Sequence, residues 1–404
     1  MTASLYIHIP FCAGKCDYCD FFSVPVNESK DSGLLDRFAG AVVDDIKDQI
    51  DIFGVDHVPA IYIGGGTPSA LGAKRMEHLL TGLQAVLKSM QKPPAEFTVE
   101  ANPESADENF LQACRSGGVS RISLGVQSFH EPSRRAVHRK GDSHLLERRL
   151  ALAAQLFPGA FSADLITGLP FQTAAILESD IRTLLSYQPA HVSLYSLTLE
   201  PQTPLGRQTA QQGAAAISLP SGEEADSLWI HGRDLLEASG FTQYEVSNFS
   251  LGGKHCIHNI RYWQMENWLG AGPAASGTLI DENTGTGRRL SYPGDIGGYL
   301  AAPKPRIHTV RAEELSRSDL VRESLLMGFR YRGGPNAELF RRRFHRSIEE
   351  YIPNTIARWH ERGFFETGEM NAPAALAPSQ EGLLFLNSFL RDAFSELEGN
   401  YPCR

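Results

Sequence analysis

What the sequence has little of already bounds it. Charged residues make up only 21% of the 404, and 47 acidic side chains outnumber 38 basic ones, for a formal charge of −9. Residues 301–404 are near neutral, with 15 basic and 14 acidic side chains. Neither part has the basic excess of a nucleic-acid module. No uncharged apolar run approaches the ~18 residues that a membrane-spanning helix needs. The opening Met-Thr-Ala-Ser-Leu-Tyr-Ile-His-Ile-Pro lacks the basic region of a secretory signal. Cysteine is sparse and uneven: Cys12, Cys16 and Cys19 lie within eight residues, while Cys114, Cys256 and Cys403 are scattered. That is no disulfide framework, and the expectation is a soluble cytoplasmic protein whose clustered thiols serve metal or redox chemistry.

What is present reads as an α/β chain. Strand-like runs at 5–9, 60–63, 97–101, 121–127, 162–166 and 191–197 alternate with helix-like stretches at 34–53, 75–90, 107–115, 143–156 and 176–185. Such alternation builds a parallel sheet with helical crossovers, open or rolled into a barrel. Fully buried parallel strands should be continuously apolar. These instead alternate: Ile122, Leu124 and Val126 oppose Ser123, Gly125 and Gln127, and Leu5, Ile7 and Ile9 oppose Tyr6 and His8. With apolar faces on the helices, the polar faces meet in a lumen suited to a polar ligand, in place of the aliphatic filling of a closed barrel. Cys114 falls in a helix, as a core thiol. From about residue 200 the chain reads as loop-rich, with a hairpin turn at Asn283-Thr-Gly-Thr-Gly287 and a Pro/Gly linker over 293–305. Helices follow at 319–329 and 337–359, then a short strand, turn and helix. The run Arg341-Arg-Arg-Phe-His-Arg346 is expected as a solvated helix face. The division expected is 1–235 for the core, 236–300 for an extension and 301–404 for a small, mainly helical, winged-helix-like domain.

The chemistry concentrates after the first strand, where three residues separate Cys12 from Cys16 and two separate Cys16 from Cys19. Three thiolates suit a 4Fe-4S cluster whose fourth iron stays open. Zinc remains the alternative, with Cys256 or His258 as a distant fourth ligand. After the second strand, Gly64-Gly-Gly-Thr-Pro-Ser69 is neither a P-loop nor a dinucleotide fingerprint. It is either a close ligand approach or a strand-to-helix turn.

With Tyr18 before the third cysteine, the motif resembles that of the radical S-adenosylmethionine (SAM) superfamily. The resemblance implies a six-stranded partial (β/α) barrel. It also implies that the open iron chelates SAM, and that a reduced cluster cleaves SAM to a 5′-deoxyadenosyl radical. Tyr6-Ile-His-Ile-Pro-Phe-Cys12, Gly64-Gly-Gly-Thr-Pro68, Glu100-Ala-Asn-Pro103, Gly125-Val-Gln-Ser-Phe129, Arg139 and Asp164-Leu-Ile-Thr-Gly-Leu-Pro170 together resemble the oxygen-independent coproporphyrinogen III oxidase family. A weaker echo lies in Gln380-Glu-Gly-Leu-Leu384. Position by position, that likeness implies SAM contacts at Tyr6, Tyr18, Gly65, Gly66, Thr67, Glu100, Gln127, Arg139 and Asp164. Carboxylates suit the ribose hydroxyls or amino group, and Arg139 suits the carboxylate.

The decarboxylating enzymes of that family carry a fourth cysteine two residues after the third; here the position is Phe21. Instead, His258-Asn-Ile-Arg-Tyr-Trp263 resembles the HNxxYW motif of the heme-chaperone, HemW-like branch. That resemblance implies a heme site at His258, Tyr262 and Trp263, with His255 and Cys256 as rival ligands. A packed loop is the other reading of the motif. Ser276 stands where the family commonly has a His. The expected function is a heme chaperone with a 4Fe-4S cluster, SAM and heme. Its expected partners are a heme-acceptor protein and a flavodoxin- or ferredoxin-like electron donor, and a homodimer is also in view. The alternative is oxidative decarboxylation of coproporphyrinogen III.

Overall fold

The computed structural model describes residues 1–366 and 376–400. Six parallel strands form its centre: β1 (Ser4–Ile9), β2 (Ala60–Gly65), β3 (Glu96–Ala101), β4 (Arg121–Gln127), β5 (Phe161–Thr167) and β6 (His191–Ser196). They pair in that order, with Tyr6 level with Tyr62 and Gly125 level with Asp164. Their apolar parity, including Leu5, Ile63, Val99, Leu124, Ala163 and Leu194, packs in one core with Leu79, Phe110, Leu146 and Ile181 from the crossover helices. Their polar parity faces a common lumen, as the alternation required.

The sheet does not stop at six strands. On the β6 side it gains β7 (Thr242–Gln243) and β8 (Asn248–Ser250). On the β1 side β9 (Trp268–Ala271) adds in parallel, followed by the antiparallel β10 (Ser276–Asp281), β11 (Thr286–Ser291) and β12 (Arg311–Leu315). The turn at 283–287 joins β10 to β11 as expected, with Gly285 at φ 65°.

Four details differ from the sequence reading, each for a local reason. The loop-rich stretch contains the helix Pro204–Gln212, started by the Thr203 cap with proline in its first turn and stopped at Gly213. The expected linker over 293–305 is not free. The Tyr292 and Tyr299 hydroxyls donate to buried Asp45 at 2.6 and 2.8 Å, fastening this segment to the helix Glu28–Phe53. The helical run at 337–359 is three helices, because His345 is left-handed, Ser347 caps a new start and Pro353 opens a third. In the arginine run, Arg343 is 2% exposed and pairs with Glu282 at 2.8 Å, so that residue is interior rather than solvated.

The C-terminal region is helical. Beyond β12, its strand pairing among the described residues is two isolated bridges, Tyr331 with Glu245 and Phe365 with Pro378, and residues 367–375 and Cys403 lie outside them. Cys114 is fully buried on the helix Glu108–Ser116, as a core thiol should be.

Candidate functional site

The cysteine loop leaves the C-terminal end of β1, the end at which α/β barrels build their sites. Phe11–Cys12 pairs with Val24–Pro25, closing the loop at its base. Its tip is held from two sides: Asp17 N–H donates to the Val137 carbonyl at 3.1 Å, and Leu205 N–H donates to the Asp17 carbonyl at 2.9 Å. Cys12 and Cys16 are buried, and Cys19 is half-buried. Burial pushes the Cys12 and Cys19 thiols above their ordinary pKa, against hydrogen bonds from Thr67 and from the Phe21 N–H respectively. Thiolates here therefore need cationic company, which bound irons supply. Arg139 adds to it, with Nη1 3.7 Å from the Cys16 sulfur.

No group of three or more His, Cys, Asp or Glu among the described residues converges on one metal ion. A 4Fe-4S cluster takes each thiolate on a different iron, and three cysteines on one loop are a donor set of that kind.

Beside the loop, Gly64-Gly-Gly-Thr67 closes β2. Gly65 sits at φ 108° with its missing Cβ position 2.7 Å from the His8 ring, and that of Gly66 is 2.7 Å from the Phe11 carbonyl oxygen. Only glycine lets this turn lie against the cysteine strand. The Thr67 hydroxyl lies 2.9 Å from the Cys12 sulfur and accepts the Asn102 amide at 2.9 Å. Asn102 accepts Arg139 Nη2 at 2.8 Å, and the same guanidinium nitrogen donates to the Gly125 carbonyl. Cys12, Thr67, Asn102 and Arg139 are thus one connected chain of contacts. Tyr18 packs close by with Val137, Ile166, Leu169 and Leu205.

Within the lumen, Glu100 accepts the Tyr62 hydroxyl at 2.6 Å and the Gly65 N–H at 3.3 Å. Asp164 accepts Ser123 at 3.3 Å. Burial lifts the Glu100 carboxyl to about 7 against the Tyr62 bond, with nearby Asp164 adding to the rise, and lifts Asp164 to about 6. Gln127 stands at a register shift with φ 70°. Its Oε1 and the Nε of Arg139 are buried without a hydrogen-bond partner. Such orphaned groups are costly unless a ligand completes them, and a polar zwitterion such as SAM fits them. The structure therefore gathers Tyr6, Gly65, Gly66, Thr67, Glu100, Gln127, Arg139 and Asp164 around the lumen and its mouth.

The HNxxYW segment lies elsewhere. Its helix, Ile257–Trp263, sits at the N-terminal ends of the strands, opposite the cysteine loop. Glu96, the first residue of β3, accepts the N–H groups of Ile257 and His258 at 3.0 and 3.2 Å and the Cys256 thiol at 3.2 Å. Arg121, the first residue of β4, pairs with Glu96 at 3.2 Å and donates to the carbonyls of Lys254 and His255. Arg261 donates to Ser4, the first residue of β1. His258 is 8% exposed, and burial with the Arg261 charge holds its pKa down near 4, so the imidazole is neutral. Tyr262 is 40% exposed and packs edge-on to Trp263 and Trp268. The three motif aromatics do not share one surface. Of the rivals, Cys256 is buried on Glu96, while half-buried His255 stacks on Tyr244 at 4.4 Å. Ser276 bonds Ser291 in the β10–β11 hairpin.

Sequence reasoning missed Glu96, Arg121, Tyr62 and Asn102 as contributors. Asn102 stood inside a quoted motif and Tyr62 on the inward parity, so both carried a signal. Glu96 and Arg121 carried none, because only the fold brings residue 96 to residue 257.

The radical SAM superfamily model matches residues 6–184. A heme chaperone HemW from Lactococcus lactis is 34% identical over 358 residues, spanning 87% of this chain and 88% of its own. The chain belongs to the HemW family of radical SAM proteins. A radical S-adenosyl methionine domain-containing protein 1, mitochondrial, from Bos taurus is 35% identical over 408 residues, covering 98% of this chain and 88% of the relative. The solved structure of the Escherichia coli coproporphyrinogen III oxidase HemN superposes with a TM-score of 0.78 at 20% identity, over 97% of this chain and 90% of that one. That likeness gives the radical SAM fold. Among the described residues, no helix is long and apolar enough to cross a membrane.

Proposed function

We propose that the chain is a heme chaperone that holds a 4Fe-4S cluster and SAM and passes heme to an acceptor protein. Cys12, Cys16 and Cys19 would hold the cluster, and the lumen residues from Tyr6 to Asp164, with Tyr18 at the loop, would hold SAM. When bound, these groups supply a one-electron reductant and a cleavable sulfonium bond. The chain's own part is to position them: Thr67 contacts the Cys12 sulfur and Arg139 the Cys16 sulfur, Asn102 ties both together, and Glu100 and Asp164 offer acceptors in the lumen. A flavodoxin- or ferredoxin-like donor, a homodimer and cytoplasmic residence belong to the same reading.

The observation that carries it is Phe21. It occupies the fourth-cysteine position of the decarboxylating enzymes and is 64% exposed beside the cysteine loop, in a chain whose HemW kinship extends over its length. Anaerobic iron and sulfide reconstitution tests the reading, with parallel incubations in heme and in coproporphyrinogen III plus SAM and reductant. The expected result is a brown protein absorbing near 400 nm that takes up heme and yields no vinyl-bearing porphyrin. Vinyl product would establish the decarboxylase instead, and a colourless protein would reject the cluster.

A further inference from the structure

We propose that His258 is a positioning residue that floors the lumen and fixes Glu100, and that it is not an axial ligand of heme iron. The proposal rests on the SAM reading of the lumen. The motif helix stoppers the N-terminal end of the strands through Glu96, Arg121 and Ser4, so His258 enters the lumen from below. Its ring stacks on Tyr62, with centroids 5.0 Å apart and planes 29° apart, and lies 6.3 Å from Tyr6 at 30°. Tyr62 in turn donates its hydroxyl to Glu100 at 2.6 Å, and the other carboxylate oxygen takes the Gly65 N–H.

The chain of contact therefore runs from the HNxxYW motif through one tyrosine to the glycine turn that borders the cysteine loop. It has little slack: a Cβ at Gly64 would lie 2.9 Å from both the Glu100 carboxylate and the Tyr62 ring. A shift of the His258 ring moves Tyr62, and a shift of Tyr62 moves the carboxylate.

Two observations separate this role from iron ligation. The His258 Nδ1 is buried and makes no hydrogen bond, so stacking rather than a hydrogen bond at that atom orients the ring. A heme-ligating imidazole ordinarily has its other ring nitrogen anchored by a hydrogen-bond partner, whereas the His258 ring is held by its stack on Tyr62 and Tyr6 inside the lumen. Tyr262, the motif residue best placed to cover a porphyrin by its exposure, turns toward Trp263 and Trp268 instead.

The test compares reconstituted wild type with His258→Phe, His258→Ala and Tyr62→Phe, measuring SAM affinity by equilibrium binding and heme by titration and Soret position. His258→Ala and Tyr62→Phe are expected to weaken SAM by about 10-fold, the scale of one lost hydrogen bond to a charged group. His258→Phe, which keeps the stack, should restore SAM affinity while the heme spectrum stays that of wild type. A lost or shifted Soret band in His258→Phe would overturn the proposal, and so would wild-type SAM affinity in His258→Ala. Wild type that takes up no heme would sink the chaperone reading and leave the SAM arm still decisive for His258.

Discussion

Glu100 shows how the lumen treats a single side chain. Removed from water, its carboxyl rises to about 7 although Tyr62 donates to its charged form, because the desolvation penalty exceeds that hydrogen bond and Asp164 repels a second charge. A carboxyl with a higher pKa folded than unfolded binds more protons in the native state over the interval between the two values. Its stabilising effect is therefore complete below about 4.5 and is lost as pH rises through about 7. Asp164, at about 6, works in the same direction. Without SAM, the unfolding free energy should fall between pH 5 and pH 8, and Glu100→Gln should flatten that fall by ~3 kcal/mol. Denaturant titrations of both proteins across that range check it; equal slopes would show that Glu100 titrates normally.

At the scale of elements, the motif helix is held by its first turn. Seven residues make a weak helix in isolation, and this one docks because the Glu96 carboxylate takes two N–H groups and a thiol at its N-terminus while Arg121 balances the charge. Neutralising the acid leaves Arg121, 9% exposed, without its ionic partner. Glu96→Gln is therefore expected to cost about 3 kcal/mol. It should also free the Cys256 thiol, so that Cys256 reacts with a thiol reagent in the native protein while Cys114 stays protected. An unreactive Cys256 together with an unchanged denaturation midpoint would show that the carboxylate does not hold the helix.

Across the whole molecule, the C-terminal helices are not an appendage. Met265, Ile280 and Leu315, from the motif helix's end and the added strands, share a core with Leu320, Phe329, Phe340 and Phe389. Glu282, just after β10, takes both Arg342 and Arg343. A chain ended at residue 300 would lose β12 and bare Ile280, leaving β11 as an exposed edge. Such a chain is expected to aggregate, or to elute in size-exclusion chromatography as oligomers with a cooperative transition weaker than that of the full protein. A monomeric fragment with a full-strength transition would instead make residues 1–300 an independent unit.

Much of this architecture was legible because period and spacing are local. Alternation over 5–9, 97–101, 121–127 and 162–166 assigned each side chain to helix or lumen, since successive strand residues point to opposite faces. Three cysteines within eight residues are bound to lie in one loop whatever the fold does, and the family resemblance picks out Phe21 as the position of the missing fourth without any structure. Tertiary structure decided what depends on distant contacts. The segment over 293–305 looked like a linker until Asp45, some 250 residues earlier, received its Tyr299 and the preceding Tyr292. The HNxxYW residues, adjacent in sequence, were separated by a helix that buries His258 in the lumen and leaves Tyr262 at the surface. Sequence spacing specifies which groups can be near each other, but the end of the barrel at which they stand is set by the docking of the motif helix on Glu96 and Arg121.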